Sequence, residues 1–466
     1  MATPLSEPKG SLPPPETLLV RGLGTWDGTL LTIGSIVGTG VFLTTSDMAR
    51  VLPHPGLILL VWLAGGLLTL AGALTYGELG AMFPRAGGMY HFVKEAYGPL
   101  WGFLYGWTAF LVIMSGGIAA IAVAFGEYLG TFVPFFETGN ILLSVPLGSW
   151  KWTLSGGQVA AAGAIVLLTA INHFGLKEGA WVQNVLTALK MVCIAGLALI
   201  GLAVAAPVKP ELFGPAPAVP GGLLAAFGVA MIAVLWTYDG WYGLTCSAGE
   251  MRDPGRSLPL GLIFGTAAVT VLYLLINLVY TRALTVGAMA ESSRIAETAA
   301  EVLFGQGAAR LVSGIVLVSA FGCLSATILY SSRLYLPMAE DGLFFRSLAR
   351  VHPRHRVPVA SLWAQSAWSV VLTLSGTYSQ LYTYVIFASV VFHAMTAAAV
   401  FVFRRRLPDH PRPYRTWGYP LVPALFILAC LLLIGNTLKE SPVESLIGLG
   451  LVALGLPAYA MFRRGR

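Results

Sequence analysis

The sequence predicts an all-α membrane protein that crosses the bilayer with twelve transmembrane helices. Of its 466 residues, 56% are hydrophobic and 11% are charged, and its mean hydropathy is +0.76, which lies outside the range of soluble globular domains. A membrane-spanning helix needs about 20 consecutive apolar residues. Such runs can be traced at 24–51, 56–82, 98–130, 156–174, 179–206, 222–247, 258–283, 309–337, 358–376, 379–404, 417–437 and 442–462.

The first run is interrupted near its centre by a glycine-rich segment. Residues 34–40 read Gly-Ser-Ile-Val-Gly-Thr-Gly, where an ordinary span would carry leucine. Each glycine lowers helix propensity by about 1 kcal/mol relative to alanine, so this segment favours a break in the helix. Irregular backbone inside a bilayer is tolerated only where it is buried in protein or lines a cavity. We therefore expect a site here for a small polar ligand.

The backbone groups at this break match the two charges of a free amino acid. The N–H groups of Gly38, Thr39 and Gly40 begin the outer half of the helix and form an anion site of the helix N-terminus type. The unpaired carbonyls that end the inner half suit an ammonium group. The sequence therefore predicts a carboxylate site and an ammonium site a short distance apart.

Lys190 lies deep within the fifth apolar run, too far from either interface to reach it easily. An ionisable group at that depth costs several kcal/mol unless it is paired or hydrated, so it is a functional candidate by default. Two interpretations remain open. Either Lys190 takes part in coupling or gating, or its ammonium is a fixed cation that caps the carbonyls freed by the broken first helix.

The sixth run is interrupted as well, by aromatic residues beside Asp239 and Gly240 in the segment Leu-Trp-Thr-Tyr-Asp-Gly-Trp-Tyr-Gly at 235–243. Each break lies in the first helix of a five-helix block. Five is odd, so the second block enters the membrane from the opposite side. Paired interrupted helices in two inverted halves are the best sequence indication of a transporter's substrate site.

Two further polar positions have alternative interpretations. In the eighth run, Ser319 either bonds to its own helix or contacts a substrate or ion. At the end of the second run, Glu78 either forms an ion pair with Arg85 or Lys94 that locks the cytoplasmic end, or is a solvated interface charge.

The apolar runs and the two interruptions divide the chain into four parts. Residues 1–22 are expected to form a disordered cytoplasmic tail, because the first fifteen are polar and rich in proline. Residues 23–206 form the first inverted repeat, 221–406 the second, and 416–463 the eleventh and twelfth helices. Most of the 28 Lys and Arg residues fall on the side of the N-terminus, so the positive-inside rule predicts cytoplasmic termini and a multi-pass protein of the cell membrane.

Other function classes lack support in the sequence. The net charge of +7 follows the positive-inside pattern, so no nucleic-acid partner is expected. The four cysteines lie within apolar runs, where they are packing residues. The seven histidines form no i, i+4 ligand pair on one helix, and no nucleophile or nucleotide motif is present. We therefore expect no enzyme activity, no metal and no cofactor.

Several motifs together resemble the amino acid–polyamine–organocation (APC) transporter superfamily, most closely its L-type amino-acid transporter branch. Each motif is weak alone, but they span almost the whole chain in the right order. They are GSIVGTGVF in the first run, YGELGAMFPRAGGMYHFVKEAYG after the second, WTYDGWYG and EMRDPGRSLP around the sixth, SAFGCLSA with SSRLYLPMAEDG around the eighth, and HPRPYRTWGYP before the eleventh.

This resemblance implies a five-plus-five inverted-repeat fold (LeuT-like), with two additional helices. It implies that substrate carboxylate binds Gly38, Thr39 and Gly40, while the amino group meets carbonyls at Ile36 and in the stretch 236–239, which includes Thr237 and Asp239. Trp236 would form the aromatic lid over the substrate. Lys190 matches the lysine of sodium-independent members, at the location where sodium-coupled relatives hold an ion.

Three departures from the branch affect the expected substrate. Asp239 stands where animal members carry Gly, Gly249 replaces the first of two glutamates, and Trp236 replaces a Phe. The larger lid favours small neutral amino acids, whereas Asp239 favours cationic ones.

The outer-loop cysteine that links animal members to a heavy subunit is missing, so a stand-alone chain is expected. We expect a sodium-independent exchanger or facilitator of neutral L-amino acids that works by alternating access; the alternatives are proton-coupled uptake and transport of cationic amino acids or polyamines.

Overall fold

The computed structural model describes residues 21–464 except 86, 148–149, 175, 205, 216, 220, 356 and 375–377. The predicted cytoplasmic tail therefore lies almost entirely outside the described residues. The described chain consists of helices and one antiparallel β-hairpin. The helices are α1 (Thr25–Ile36), α2 (Thr44–Val51), α3 (Pro55–Met82), α4 (Met89–Tyr97), α5 (Pro99–Thr108), α6 (Met114–Leu129), α7 (Gly156–His173), α8 (Leu176–Ala203), α9 (Leu223–Tyr238), α10 (Pro254–Ala283), α11 (Val286–Glu291), α12 (Ile295–Phe304), α13 (Gln306–Glu340), α14 (Val359–Thr373), α15 (Tyr378–Arg406), α16 (Leu421–Glu440), α17 (Pro442–Ala453) and α18 (Gly455–Arg464).

The hairpin is the one departure from an all-α fold. Strands β1 (Ile141–Leu147) and β2 (Trp150–Ser155) pair between α6 and α7, in a stretch where the sequence predicts only a loop. Aromatic and β-branched residues favour strands, and β2 carries two tryptophans and a threonine. The indole N–H of Trp152 donates to the Leu374 carbonyl at 2.8 Å, which fixes the hairpin against the end of α14.

Nine helical stretches in the described part of the chain are long and apolar enough to cross a membrane, when α5 with α6, α9 with the segment up to Glu250, and α17 with α18 are each taken as one stretch. They coincide with nine of the predicted runs, so the chain is a multi-pass membrane protein. The other three runs coincide with shorter helical stretches. The first is divided between α1 and α2, the fifth contains the apolar stretch Thr187–Ala203, and the ninth contains α14, which has 15 residues.

Both predicted helix interruptions are confirmed. α1 ends at Ile36, the next residue is extended, and a single 3₁₀ turn at Gly40–Phe42 leads into α2. α9 ends at Tyr238, and a 3₁₀ segment at Gly243–Glu250 continues the path. Between these two helical pieces Gly240 has φ of +90°, a conformation that glycine adopts at little cost and other residues rarely adopt.

The interrupted helices lie at the centre of the packing. α1 packs against α10, α8 and α13, while α2 packs against α9, and α10 also packs along α3. This places the two breaks between long helices and away from the surface.

Glu78 contacts neither of the partners that the sequence suggests. Its side chain is fully buried at the end of α3. The carboxylate accepts hydrogen bonds from Arg404 Nε at 2.9 Å and Nη2 at 2.7 Å, and from the Thr416 N–H at 2.7 Å. Lys94 instead pairs with Asp341 at 2.6 Å. Tertiary packing of α15 beside α3 decides this pairing, which local spacing does not reveal.

We expect Glu78→Gln to lower stability. The glutamine amide cannot accept both hydrogen bonds that the Arg404 guanidinium donates to the carboxylate. The substitution also leaves the positive charge of Arg404 without its negative partner. Breaking a buried ion pair lowers the free energy of unfolding by about 3–5 kcal/mol. Because Arg404 is partly exposed, we expect a loss of roughly 2 kcal/mol here. The melting temperature of the purified protein should fall by several degrees. Glu291→Gln, at an exposed position, is the control, and equal melting temperatures for the two variants would contradict this assignment.

Candidate functional site

The two interrupted helices meet at their breaks. Thr44 Oγ1 lies 2.8 Å from Thr237 Oγ1, which joins the start of α2 to the end of α9. The Tyr273 hydroxyl, from α10, lies 3.2 Å from the Ile36 carbonyl and 3.3 Å from the Thr237 carbonyl. One phenol therefore bridges the ends of α1 and α9.

Glycine is required where the two breaks approach each other. A Cβ at Gly40 would lie 2.6 Å from Thr237 Oγ1 and 2.9 Å from its Cα. A Cβ at Gly240 would lie 2.6 Å from the Ser35 carbonyl oxygen and 3.0 Å from its carbon. These distances are too short for real atoms, so a larger residue at either position would separate the helices.

Side chains from three surrounding helices satisfy the carbonyls at the end of α1. This corrects the expectation that these carbonyls are unpaired, although each oxygen keeps a second lone pair. The signal for this arrangement is weak in the sequence, because the donors are isolated residues in apolar helices. The donors are Lys190 to Gly34 and Val37, Cys323 to Ser35, Tyr273 to Ile36, and Ser319 to Gly38.

Lys190 binds the end of α1 directly. Its Nζ donates to the Gly34 carbonyl at 2.8 Å and to the Val37 carbonyl at 2.5 Å, and its side chain is only 1% exposed. No carboxylate of the described residues pairs with it. The negative end of the α1 dipole therefore balances its charge. The capping interpretation is confirmed, and a role in gating stays a prediction.

The Ser319 hydroxyl does not bond to its own helix. It donates to the Gly38 carbonyl at 3.1 Å and so fixes the backbone between α1 and α2. Ser319 therefore supports the break without lining the cavity beside it.

Two N–H groups lie on the other side of the break, at Gly38 and Thr39. Within the described residues, neither the Gly38 N–H nor the Thr39 N–H donates to a backbone acceptor. Buried N–H groups without a partner are rare in native proteins. Here they border a cavity and so are available to a ligand. The anion site that the sequence predicts at this position stays a prediction, which these N–H groups support.

The cavity between the breaks is small. Its volume is about 30 Å³, and one water molecule needs roughly 10–15 Å³ on the same measure, so the surrounding residues close tightly around it. All seven of the predicted substrate-binding residues line it, whereas Lys190 and Ser319 do not. The lining residues are Ser35, Ile36, Gly38, Thr39, Gly40, Ile113, Met114, Gly117, Ile121, Trp236, Thr237, Asp239, Gly240, Cys323, Thr327 and Tyr330.

Asp239 is the acidic side chain among these lining residues. No Lys, Arg or His of the described chain lies within ion-pair distance of it, and it interacts with the backbone N–H of Gly240. A carboxylate at a membrane-embedded cavity is costly without a cationic partner. The cavity therefore offers N–H donors for an anion and, at Asp239, an acceptor for a cation.

Trp236 lines the cavity and contacts two tyrosines that the sequence analysis does not identify. Its indole N–H donates to the Tyr378 hydroxyl at 2.7 Å, and its ring stacks on Tyr382 with centroids 5.9 Å apart. The Tyr382 hydroxyl donates to Asp47 at 2.8 Å, and Asp47 pairs with Arg50 at 2.6 Å. These tyrosines lie in an apolar helix, where an aromatic residue is usually part of the core, so sequence alone gives no sign of this role.

Comparisons with known proteins show which proteins this chain is similar to. The family model described as amino acid permease matches residues 23–448. The serine/threonine exchanger SteT of Bacillus subtilis (strain 168) is 32% identical over 445 residues, which cover 95% of this chain and 96% of that protein. The b(0,+)-type amino acid transporter 1 of Mus musculus is 29% identical, covering 96% of this chain and 88% of that protein. The large neutral amino acids transporter small subunit 2 of Mus musculus is 30% identical, covering 95% and 81% respectively.

Proposed function

Because the chain belongs to the amino acid permease family, we propose that it carries free amino acids across the plasma membrane by alternating access and performs no chemistry on them. The observation that carries this proposal is the pair of unbonded N–H groups at Gly38 and Thr39, which border the same small cavity as Asp239. An anion site and a cation acceptor in one membrane-embedded cavity fit the α-carboxylate and the α-ammonium of an amino acid.

In the proposed complex, the substrate carboxylate accepts hydrogen bonds from the N–H groups of Gly38, Thr39 and Gly40. Its ammonium lies against Asp239 and the carbonyls of Ile36 and Thr237. Tyr273 supports those two carbonyls, and the free lone pair of each remains open to the ammonium. Trp236 then closes over the side chain of the substrate.

We propose that the substrates are small neutral L-amino acids and that the transporter exchanges them without sodium. The bulky Trp236 lid, which lines the cavity, favours small side chains. A relative that is 32% identical is a serine/threonine exchanger, which supports the same class. The ammonium of Lys190 occupies the carbonyls of Gly34 and Val37, and carbonyl oxygens are the ligands that a bound sodium ion would use.

The proposed architecture has twelve spans in a five-plus-five inverted repeat, comprising residues 23–206 and 221–406, followed by two helices in 416–463. Residues 1–22 form a cytoplasmic tail, and both termini are cytoplasmic. The crossing of two interrupted helices in corresponding positions supports the repeat. We further propose that the chain works without a disulfide-linked heavy subunit, because its four cysteines lie within the membrane-spanning part of the chain.

Counterflow in proteoliposomes tests this function. Liposomes that hold the purified protein and unlabelled serine should accumulate labelled serine, and replacing sodium with choline should leave the rate unchanged. Empty interiors should give much lower uptake if exchange is obligatory. Failure of every amino acid to drive counterflow would reject transport, and strict dependence on sodium would reject the proposed role of Lys190.

We expect Trp236→Phe to broaden the substrate range toward larger neutral amino acids. The substitution removes the hydrogen bond to Tyr378 and enlarges the cavity below the lid. In competition assays, leucine and phenylalanine should inhibit serine uptake more strongly than they do in the unmodified protein. Their inhibition constants should fall roughly tenfold for each 1.4 kcal/mol of binding free energy gained. Trp417→Phe, at an exposed loop position, is the control. An unchanged order of competitors would show that Trp236 does not limit substrate size.

Asp239 supports a second candidate, in which the substrate is a cationic amino acid or a polyamine, or uptake is coupled to protons. Asp239→Asn separates these readings. If Asp239 pairs with the α-ammonium, the variant should lose affinity for all amino acids by about 1–2 kcal/mol, or roughly tenfold. If it recognises a cationic side chain, arginine and putrescine should outcompete serine in the unmodified protein only. If it carries protons, the variant should keep exchange but lose accumulation driven by a pH gradient.

A further inference from the structure

We propose that a second cavity, between the segment that precedes α1 and the α3–α4 connection, binds a phosphate-bearing anion. This cavity lies at the end of the helices where α1 begins, remote from the breaks. Its volume of about 470 Å³ is in the usual range of small-molecule sites, about 300–1,000 Å³. The lining residues are Arg21, Met82, Phe83, Pro84, Arg85, His91, Glu95 and His410.

The charged groups of this cavity favour an anion. Two guanidinium groups and two imidazoles face one carboxylate. None of the ion pairs formed among the described residues uses Arg21, Arg85 or Glu95. The two arginines therefore keep their N–H donors for a ligand. A guanidinium presents these donors in a planar fork that matches phosphate oxygens.

The imidazole of His410 adds a further donor or acceptor. Its Nδ1 lies 3.1 Å from the Pro411 carbonyl, and a carbonyl only accepts, so Nδ1 carries the proton. The His410 side chain is one of those that line the cavity. The ring also packs against Phe83 at 5.3 Å between centroids, which holds it in place.

The lining of the cavity combines apolar and charged side chains. Met82, Phe83 and Pro84 supply the apolar part. A ligand with a phosphate beside a short apolar stretch fits this arrangement. A phospholipid headgroup with its glycerol and a soluble phosphomonoester both have this chemistry, and the experiment below distinguishes them.

An anion bound here would connect two chain segments that both form hydrogen bonds with the second interrupted helix. Directly after Arg21, the N–H groups of Gly22 and Leu23 donate to the Glu250 carbonyl at 2.9 and 3.0 Å. On the other side of Arg85, the Gly87 N–H donates to the Cys246 carbonyl at 3.4 Å. Both segments thus contact the 3₁₀ segment Gly243–Glu250. A ligand shared by the two arginines would stabilise both sets of contacts with this segment.

Binding to the purified full-length protein tests the proposal without relying on transport. Delipidated protein in neutral detergent is mixed with phosphatidylglycerol or phosphatidylcholine, and bound lipid is counted by native mass spectrometry. Separately, millimolar glycerol 1-phosphate is tested for its effect on the melting temperature against sodium chloride of equal ionic strength, which removes general salt effects. The test variant is Arg21→Gln with Arg85→Gln. The control variant is Arg346→Gln with Arg350→Gln, which removes the same charge from exposed positions at the same end of the helices.

We expect the unmodified protein and the control variant to bind the phosphate probe, and the test variant to bind it at least about tenfold more weakly, since each arginine near a phosphate contributes about 1 kcal/mol. Retention of phosphatidylglycerol without an effect of glycerol 1-phosphate identifies a lipid headgroup. An effect of glycerol 1-phosphate as well identifies a site for phosphate esters in general. Arg85→Gln alone repeats the test if the double variant is not obtained. Absence of binding, or equal losses in the test and control variants, would overturn the proposal.

Discussion

Lys190→Ala should abolish most transport while the protein still folds and inserts. The substitution removes the donor from the Gly34 and Val37 carbonyls, and an alanine side chain cannot donate a hydrogen bond to either. Each charge-assisted hydrogen bond contributes about 1.5–3 kcal/mol. The end of α1 should lose its fixed geometry, and with it the orientation of the adjacent N–H groups. If the transition state of the rate-limiting step is destabilised by only 1.4 kcal/mol, the transport rate falls about tenfold.

Serine counterflow in proteoliposomes measures this effect at equal amounts of reconstituted protein. Size-exclusion profiles and melting curves establish that the variant is folded. Lys439→Ala is the matched control, because Lys439 is a lysine whose side chain is 75% exposed. Counterflow at the unmodified rate in the Lys190 variant would remove this residue from the transport mechanism and leave it as a packing feature of α8.

Gly240→Ala should reduce transport by more than about tenfold and lower the melting temperature. Alanine at φ of +90° is strained by about 1–3 kcal/mol. In addition, its Cβ would lie 2.6 Å from the Ser35 carbonyl oxygen, so α1 and the residues after α9 would have to move apart. That movement separates the anion site at Gly38 and Thr39 from Asp239, and a substrate could no longer contact both.

Gly435→Ala is the control for this variant, because a Cβ there would meet no atom within 4 Å. Binding is measured alongside transport, through the increase in melting temperature that saturating serine produces. The Gly240 variant should lose this increase even if it is folded. A variant that keeps both the serine-dependent shift and counterflow would show that the close approach of the two breaks is not needed for function.

The parts of the site that depend on backbone chemistry could be predicted from the sequence. Three glycines in seven residues are incompatible with a stable span, and the break at 34–40 is present where the sequence indicates it. The buried position of Lys190 in an apolar run requires compensation, and the carbonyls freed by this break are the nearest source of it. The same reasoning applies to Asp239 and Gly240, which interrupt the sixth run.

The parts that depend on packing between distant helices could not be predicted. Tyr273 bridges the two breaks, but in sequence it is one aromatic residue in a long apolar helix. Tyr378 and Tyr382 hold Trp236 for reasons that appear only when α15 lies beside α9. Glu78 pairs with Arg404 across most of the chain, whereas Lys94, one of the nearer charges that spacing suggests, pairs with Asp341. These contacts depend on helix rotation, which hydropathy does not specify.

The central claim is that the two helix breaks jointly hold the backbone charges of an amino acid. An experimental structure with bound serine, determined at a resolution that distinguishes the carboxylate from the ammonium group, tests it most directly. We predict that the carboxylate lies within hydrogen-bond distance of the Gly38 and Thr39 N–H groups and that the ammonium faces Asp239. Serine bound away from residues 34–40, or in the reverse orientation with its ammonium at these N–H groups, would contradict the claim.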